Sequence, residues 1–460
     1  MSAVRRALGS SVLAALLTLS LAAPAAAHHR PGHDGGPPAA RGGGPQEPSE
    51  PSEPEASRVV VAAIDSGVNA YHEFFHAGGD GPYAATTPSA VTSEVLAEFG
   101  IGPEHVLELT RTGDQVRDIA ADEAMWAAVE PGQPYWFAGT NVIGISFDGS
   151  SPPLQPTGKN AHGTGVLGSV LRANPDAVVV MVEGITEASE AWAFTHPAVD
   201  VVTTSYGPIG SPPLPDHLAF SYTGVVTNGK VHTGAVDNTP ALAPIDSTGG
   251  PWWSIGVSGY EEGDSEGRQV TSGTLPDVVG DFTQTLPYCT DCQSGTRTVS
   301  GTSFATPTTA GVVSLGILEA RRAVGHAGGI VAGDSGPVLV GGDDAVSTWD
   351  LRRALEEAAA YPTTAEWDPV DAIFDLATTP VVDAAPWATM GWGLVTADPD
   401  RGVVDELLAR LGVAGEPTRT KSADACDAMT RQFELRYAYW NNYAVLGESW
   451  LTDEDPYIPC

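Results

Sequence analysis

Basic side chains are scarce in this chain. Lysine and arginine number 22 against 57 aspartates and glutamates, a formal charge of −35 over 460 residues. A surface that acidic repels a phosphate backbone and an anionic lipid leaflet alike, which argues against nucleic acid or membrane as partner. Cysteine is scarce too, with four in the chain. Two of them form Cys289-Thr290-Asp291-Cys292. No second CxxC completes a four-thiolate zinc site, and the strand-to-helix setting of a thioredoxin-type centre is missing. With Cys426 and Cys460, these residues are expected to form structural disulfides. Four cysteines allow three pairings, which the sequence leaves open. Beyond the N-terminus there is no apolar run of the roughly 20 residues that a bilayer span requires. Internal repeats are absent. Whole-chain disorder is excluded by an apolar share of 42% and 11 tryptophans.

Arg5 and Arg6, the apolar run Val12 to Ala23 and the small residues Ala25-Ala26-Ala27 read as a signal peptide over 1–27. The expected location is therefore secreted, in the extracellular space or the cell envelope. Residues 28–57 are rich in Pro, Gly and Glu, a composition that cannot bury apolar surface and predicts a disordered linker. Order should begin at Val59. Continuous apolar runs at Val59–Ile64, Asn141–Phe147, Ala177–Val182, Val199–Thr204, Val231–Val236 and Ser254–Val257 predict strands buried on both faces. Helical stretches lie between several of them, at Gly163–Leu171, Glu187–Phe194 and Phe304–Ala323. This alternation predicts an α/β fold, a parallel β-sheet flanked by helices on both faces, with function at the carboxyl ends of its strands.

Three segments carry chemistry. The first strand runs into Asp65-Ser66-Gly67. Asn160-Ala161-His162-Gly163-Thr164-Gly165 sets a histidine at the mouth of a small-residue helix. Ser300-Gly301-Thr302-Ser303-Phe304-Ala305-Thr306-Pro307 sets a serine at the start of a long apolar one. A serine hydroxyl becomes nucleophilic when an imidazole takes its proton, and the imidazole needs a carboxylate to fix its tautomer. The helix beginning at Ser303 adds N–H groups and a partial positive charge where an oxyanion would form. Pro307 should be tolerated as part of the first turn, whose N–H groups lack intrahelical partners.

These segments resemble, in the same chain order, the Asp, His and Ser signatures of the subtilisin-like serine peptidases, the subtilases. The resemblance implies Asp65 as orienting acid, His162 as general base and Ser303 as nucleophile. Thr203-Thr204-Ser205-Tyr206-Gly207 resembles the family's strand that pairs with extended substrate, implying Ser205, Tyr206 and Gly207 as substrate-binding. Gly234-Ala235-Val236-Asp237-Asn238 resembles the segment ending in the oxyanion-hole asparagine, here Asn238, although Asp237 stands where a glycine is usual. Leu275–Val279 and Gly391–Val395 resemble two further family segments. The implied layout is a peptidase domain over 58–400, an insertion over about 83–135 between the Asp and His motifs, and a C-terminal helical extension over 401–460. Helical pieces are expected at Ser93–Phe99 and Asp114–Val129 in the insertion and at Ala425–Tyr443 in the tail.

The expected function is a secreted serine endopeptidase acting on protein or peptide substrates through an acyl-enzyme. No cofactor is required for the chemistry, structural calcium is left without assigned ligands, and a monomer is expected. Two other readings compete. One is a catalytically inactive relative that binds peptides. The other is a zinc metallopeptidase using His72, Glu73 and His76 of the formal HExxH, which needs a helix and a third ligand. Gly333-Asp334-Ser335-Gly336-Pro337 echoes the chymotrypsin nucleophile loop, but its Gly- and Asp-rich setting predicts an exposed turn.

Overall fold

The computed structural model describes residues 57–150, 152–156, 161–207, 215–236, 238, 247–262, 267–269, 276–289, 291–360, 381–382, 385–386 and 390–441. The expected signal peptide and, apart from Ser57, the expected linker lie outside the described residues.

The apolar runs form the centre of a large sheet. In chain order its strands are β1 (Val60–Asp65), β2 (Val106–Leu107), β3 (Tyr135–Phe137), β4 (Val142–Ser146), β5 (Val178–Glu183), β6 (Val201–Thr204), β7 (Val231–Ala235), β8 (Ile255–Glu262), β9 (Gly267–Gln269) and β10 (Val278–Asp281). Three hairpins follow outside it, β11 (Thr283–Leu286) with β12 (Arg297–Ser300), β13 (Val331–Gly333) with β14 (Gly336–Val338), and β15 (Val381–Val382) with β16 (Ala385–Pro386), before β17 (Leu394–Val395) rejoins the sheet. The spatial order is β17-β10-β8-β7-β6-β1-β5-β4-β3-β2, with β9 on β8. Pairing is parallel throughout except at β3–β4 and β8–β9. The fold is thus the mostly parallel α/β sheet that the sequence predicts.

Alternation explains why these strands read as unbroken apolar runs. Val61 and Ala63 of β1 join Val179, Met181, Val201 and Val231 in a core on one face. Val60, Ala62 and Ile64 join Val178, Val180, Val182 and Val202 in a core on the other. The first face is covered by α4 (Ala161–Ala173) and α7 (Thr302–Val324), which supply Leu167, Val170, Val313 and Ile317. The second is covered by α1 (Ser93–Glu98) and α5 (Glu187–Thr195), with Val95, Phe99, Ala193 and Phe194. Register brings Asp65 of β1 level with Glu183 of β5, and Thr204 of β6 level with Ile64 of β1 and Gly234 of β7. The carboxyl ends of β1, β6 and β7 therefore open on one place.

Between Asp65 and His162 lie α1, α2 (Gln115–Ala121) and α3 (Glu123–Trp126), where helical pieces are expected, together with β2 and β3. These two strands extend the sheet beyond β4. Strands of two and three residues carry no periodicity, which is why the sequence does not announce them. The Gly333–Pro337 segment is the β13–β14 hairpin, with Asp334 and Ser335 exposed at its tip.

Past the sheet, α8 (Thr348–Ala358) and α9 (Val403–Arg410) are followed by α10 (Ala423–Asn441), close to the expected tail helix. Phe433 and Trp440 of α10 join Trp252 and Trp253 in an aromatic cluster. Arg436, 1% exposed, donates to Asp277 Oδ1 at 2.7 Å and to the carbonyls of Gly249, Gly250, Pro251 and Ser254. The tail helix is therefore built into the main core.

Candidate active site

Asp65 ends β1 and is buried, at 3% exposure. Its Oδ1 accepts the N–H of Ser66 at 2.7 Å, a bond that holds the carboxylate at the strand's mouth. His162 sits on the first turn of α4, and its Nδ1 is 2.9 Å from both Asp65 oxygens. A carboxylate only accepts, so Nδ1 carries the proton and Nε2 is left as the basic nitrogen. Gly163 permits this approach. A Cβ there would stand 2.3 Å from the Gly67 carbonyl oxygen and 3.1 Å from Asp65 Oδ1. Two opposing effects act on the imidazole: burial disfavours its charged form, while the hydrogen bond and charge of Asp65 favour it. The net shift is upward from 6.5. One third of the side chain remains exposed, enough for a substrate to reach it.

Ser303 is the second residue of α7, a position whose N–H has no intrahelical acceptor. The His162 ring lies against Phe304, 5.7 Å between centroids, so the imidazole borders the start of this helix. The Ser303 hydroxyl donates to the Ser205 carbonyl at 3.4 Å. Pro307 is not part of the first turn, as the sequence suggests, but lies four residues beyond Ser303. Lacking an N–H, it leaves the Ser303 carbonyl without its helical donor. Ser205 Oγ fills that vacancy at 2.9 Å.

Asn238 stands beside the same turn. Its Oδ1 accepts from the Thr302 N–H at 2.8 Å and from Thr302 Oγ1 at 2.9 Å, which fixes the amide plane and leaves Nδ2 as the outward donor. Gly301 has φ +154°, and a Cβ there would lie 3.7 Å from both Asn238 Nδ2 and the Ser303 nitrogen. Glycine suits this positive φ and leaves the flank of the Asn238 amide and the Ser303 nitrogen uncovered.

Of the three expected substrate-contacting residues, only Gly207 is exposed. Ser205 is buried and holds the Ser303 carbonyl, and the Tyr206 hydroxyl donates inward to Glu190 at 2.8 Å. Thr203 and Thr204 belong to β6, which is flanked by β1 and β7. Its backbone is therefore already paired on both edges, and among the described residues of this segment only 205–207 lie beyond that pairing.

The HExxH segment takes a different form from the one a zinc site needs. Glu73–Phe75 is one turn of 3₁₀ helix with His72 as its cap. His72 Nδ1 accepts from the Phe74 N–H and Nε2 donates to the Gly295 carbonyl, so neither nitrogen is left for a metal. His76 Nε2 donates to the Ala70 carbonyl. Among the described residues, no group of three or more His, Cys, Asp or Glu is arranged to hold a metal ion. Sequence reasoning also misses Asn69. This buried residue links the Asp65 loop to Thr164 of α4, to Gln115 of α2, and to the carbonyls of Cys289 and Cys292, which stand at disulfide distance. A lone asparagine outside any motif gives no signal for this.

Among solved structures, the chain is similar to the prenylagaramide maturation protease PagA, at 12% identity and TM-score 0.41, over 79% of this chain and 96% of that one. It is similar to the PatG macrocyclase in complex with peptide, at 12% and 0.41, over 78% and 93%. A cold-adapted subtilisin-like serine proteinase matches at 17% and 0.33, over 59% and 79%. No curated protein matches the chain. The model of the subtilase family matches residues 56–323, which span β1, α4 and nearly all of α7, and the chain belongs to that family.

Proposed function

We propose that the chain is a secreted serine endopeptidase in which Asp65, His162 and Ser303 form the triad, with Asn238 and the Ser303 N–H as oxyanion donors. The observation that carries this reading is the 2.9 Å contact of His162 Nδ1 with Asp65 beside the N-terminus of α7. Turning about χ1, the Ser303 hydroxyl leaves the Ser205 carbonyl for His162 Nε2. The imidazole takes its proton as Oγ attacks the scissile carbonyl carbon. Charge gathering on the carbonyl oxygen meets two N–H donors and the positive end of α7. His162 then protonates the leaving amine, and a water deprotonated by the same imidazole hydrolyses the ester at Ser303. Secretion, cleavage within the chain and a monomeric state complete the proposal, supported by the N-terminal sequence, by the exposed Gly207 edge and by the acidic surface.

A second reading, peptide binding without catalysis, draws on the resting hydrogen bond of Ser303 to Ser205. Steady-state hydrolysis of a protein substrate separates the two. Ser303→Ala should lower kcat on the order of 10⁶-fold while leaving the melting temperature in place. Hydrolysis that survives in the folded variant overturns the triad. Wild type without hydrolysis, yet binding peptides, supports the second reading.

A further inference from the structure

Next to residues 205–207 lies a buried polar cluster that the proposed chemistry does not use. Glu190 on α5 is 5% exposed, and His217 on α6 (Pro215–Tyr222) is 1% exposed. Glu190 Oε1 accepts from the Tyr206 hydroxyl at 2.8 Å and is 3.1 Å from His217 Nδ1. His217 is packed edge-on against Phe194 and Tyr206 and lies 5.5 Å from the ring of His232. His232 in turn sits between Thr204 Oγ1 and Ser254 Oγ. Burying a carboxylate and two imidazoles together costs several kcal/mol unless each is well partnered. An all-apolar packing of α5 on α6 would avoid that cost, so the cluster calls for a use.

Its connections supply one. Tyr206 is held at both ends, its hydroxyl by Glu190 and its carbonyl by Thr248 Oγ1 at 3.1 Å. Burial and Glu190 push the phenol well above its ordinary value of 10, so it stays an O–H donor at any working pH. Ser205, one residue earlier, holds the Ser303 carbonyl where Pro307 offers no donor. A continuous set of contacts thus runs from α5 through Tyr206 and Ser205 to the first turn of α7. Among the described residues of this segment, 205–207 are also the ones that lie beyond the paired length of β6, where an extended peptide could align.

We propose that Glu190, itself held by His217, is a positioning residue that clamps the Tyr206 hydroxyl and thereby holds residues 205–207 rigid for pairing with an extended peptide. The clamp favours long peptides over short ones. This rests on the peptidase reading for the identity of the segment, but its test does not need catalysis. In a Ser303→Ala background, fluorescence anisotropy measures Kd for N-acetylated five-residue and two-residue peptides of the same carboxyl-terminal sequence. Glu190→Ala should weaken binding of the five-residue peptide about tenfold and leave the two-residue peptide within about twofold. Tyr206→Phe should weaken the five-residue peptide by a similar factor, and the double variant should be no worse than either single one, since the residues act as a unit. Glu190→Gln keeps an acceptor oxygen for the phenol and should restore most of the loss. It also serves as the folded control if Glu190→Ala melts early. Equal weakening of both peptides, an unchanged five-residue Kd, or additive losses overturns the clamp. Failure of wild type to hydrolyse peptide would instead count against the peptidase reading alone.

Discussion

At His162, burial and Asp65 pull in opposite directions, and Asp65 wins. The sign of the consequence is fixed. A general base must be neutral, so kcat/KM should rise with pH through an apparent pKa above 6.5, the ordinary imidazole value. Asp65→Asn removes the charge that helps raise the pKa. It should lower kcat by about 10⁴-fold and move the acidic limb to lower pH, as read from a pH–rate profile. An unmoved limb would mean that another group titrates. The proposed triad residues Asp65, His162 and Ser303 can be picked out in the sequence because each sits in a short local pattern set by a strand end or a helix start. Glu190 and His217 cannot. They come from two helices whose approach to Tyr206 is a tertiary fact, and each alone reads as an ordinary polar residue of an amphipathic helix.

Between elements, legibility follows length and burial. β1, β5 and β6 are apolar on both faces and stand out as unbroken runs. β2, β3 and β17 are two or three residues long and acquire strand form only from neighbours. Pro307 shows how a local rule can name the right residue for the wrong reason: it is accommodated because Ser205 supplies the donor that the helix lacks. α10 is readable as a helix from its apolar spacing, but its anchor is not. Arg436 reaches Asp277, which also binds Arg352 at 2.7 Å and the Gly256 N–H at 2.7 Å. Both arginines hold the Asp277 carboxyl below its ordinary value despite burial. Removing one partner of a buried charge network is strongly destabilising, so Arg436→Ala should lose about 3–5 kcal/mol in chemical denaturation. A loss under about 1 kcal/mol would show that α10 is docked by its aromatic residues alone.

Across the whole molecule, acid should loosen the fold before the carboxylates titrate. Burial is the main reason His76 lies at about 4 instead of 6.5, and His196 is lowered to about 4 for the same reason, with Lys230 adding to it. Such a histidine binds its proton more readily in the unfolded chain. Its contribution is therefore complete above pH 6.5 and is lost as pH falls toward 4. For His76, which is 7% exposed, the loss is roughly 3 kcal/mol. Guanidinium midpoints measured from pH 7 to 4.5 should fall steadily, and His76→Gln should flatten the slope. A midpoint independent of pH over that range would contradict the assignment.

The most direct test of the central claim is covalent labelling of the native protein with a fluorophosphonate, followed by digestion and mapping of the modified peptide. A single adduct on Ser303, absent from Ser303→Ala and strongly slowed in His162→Ala, is the result predicted. An adduct on another residue, or label retained by Ser303→Ala, would contradict it.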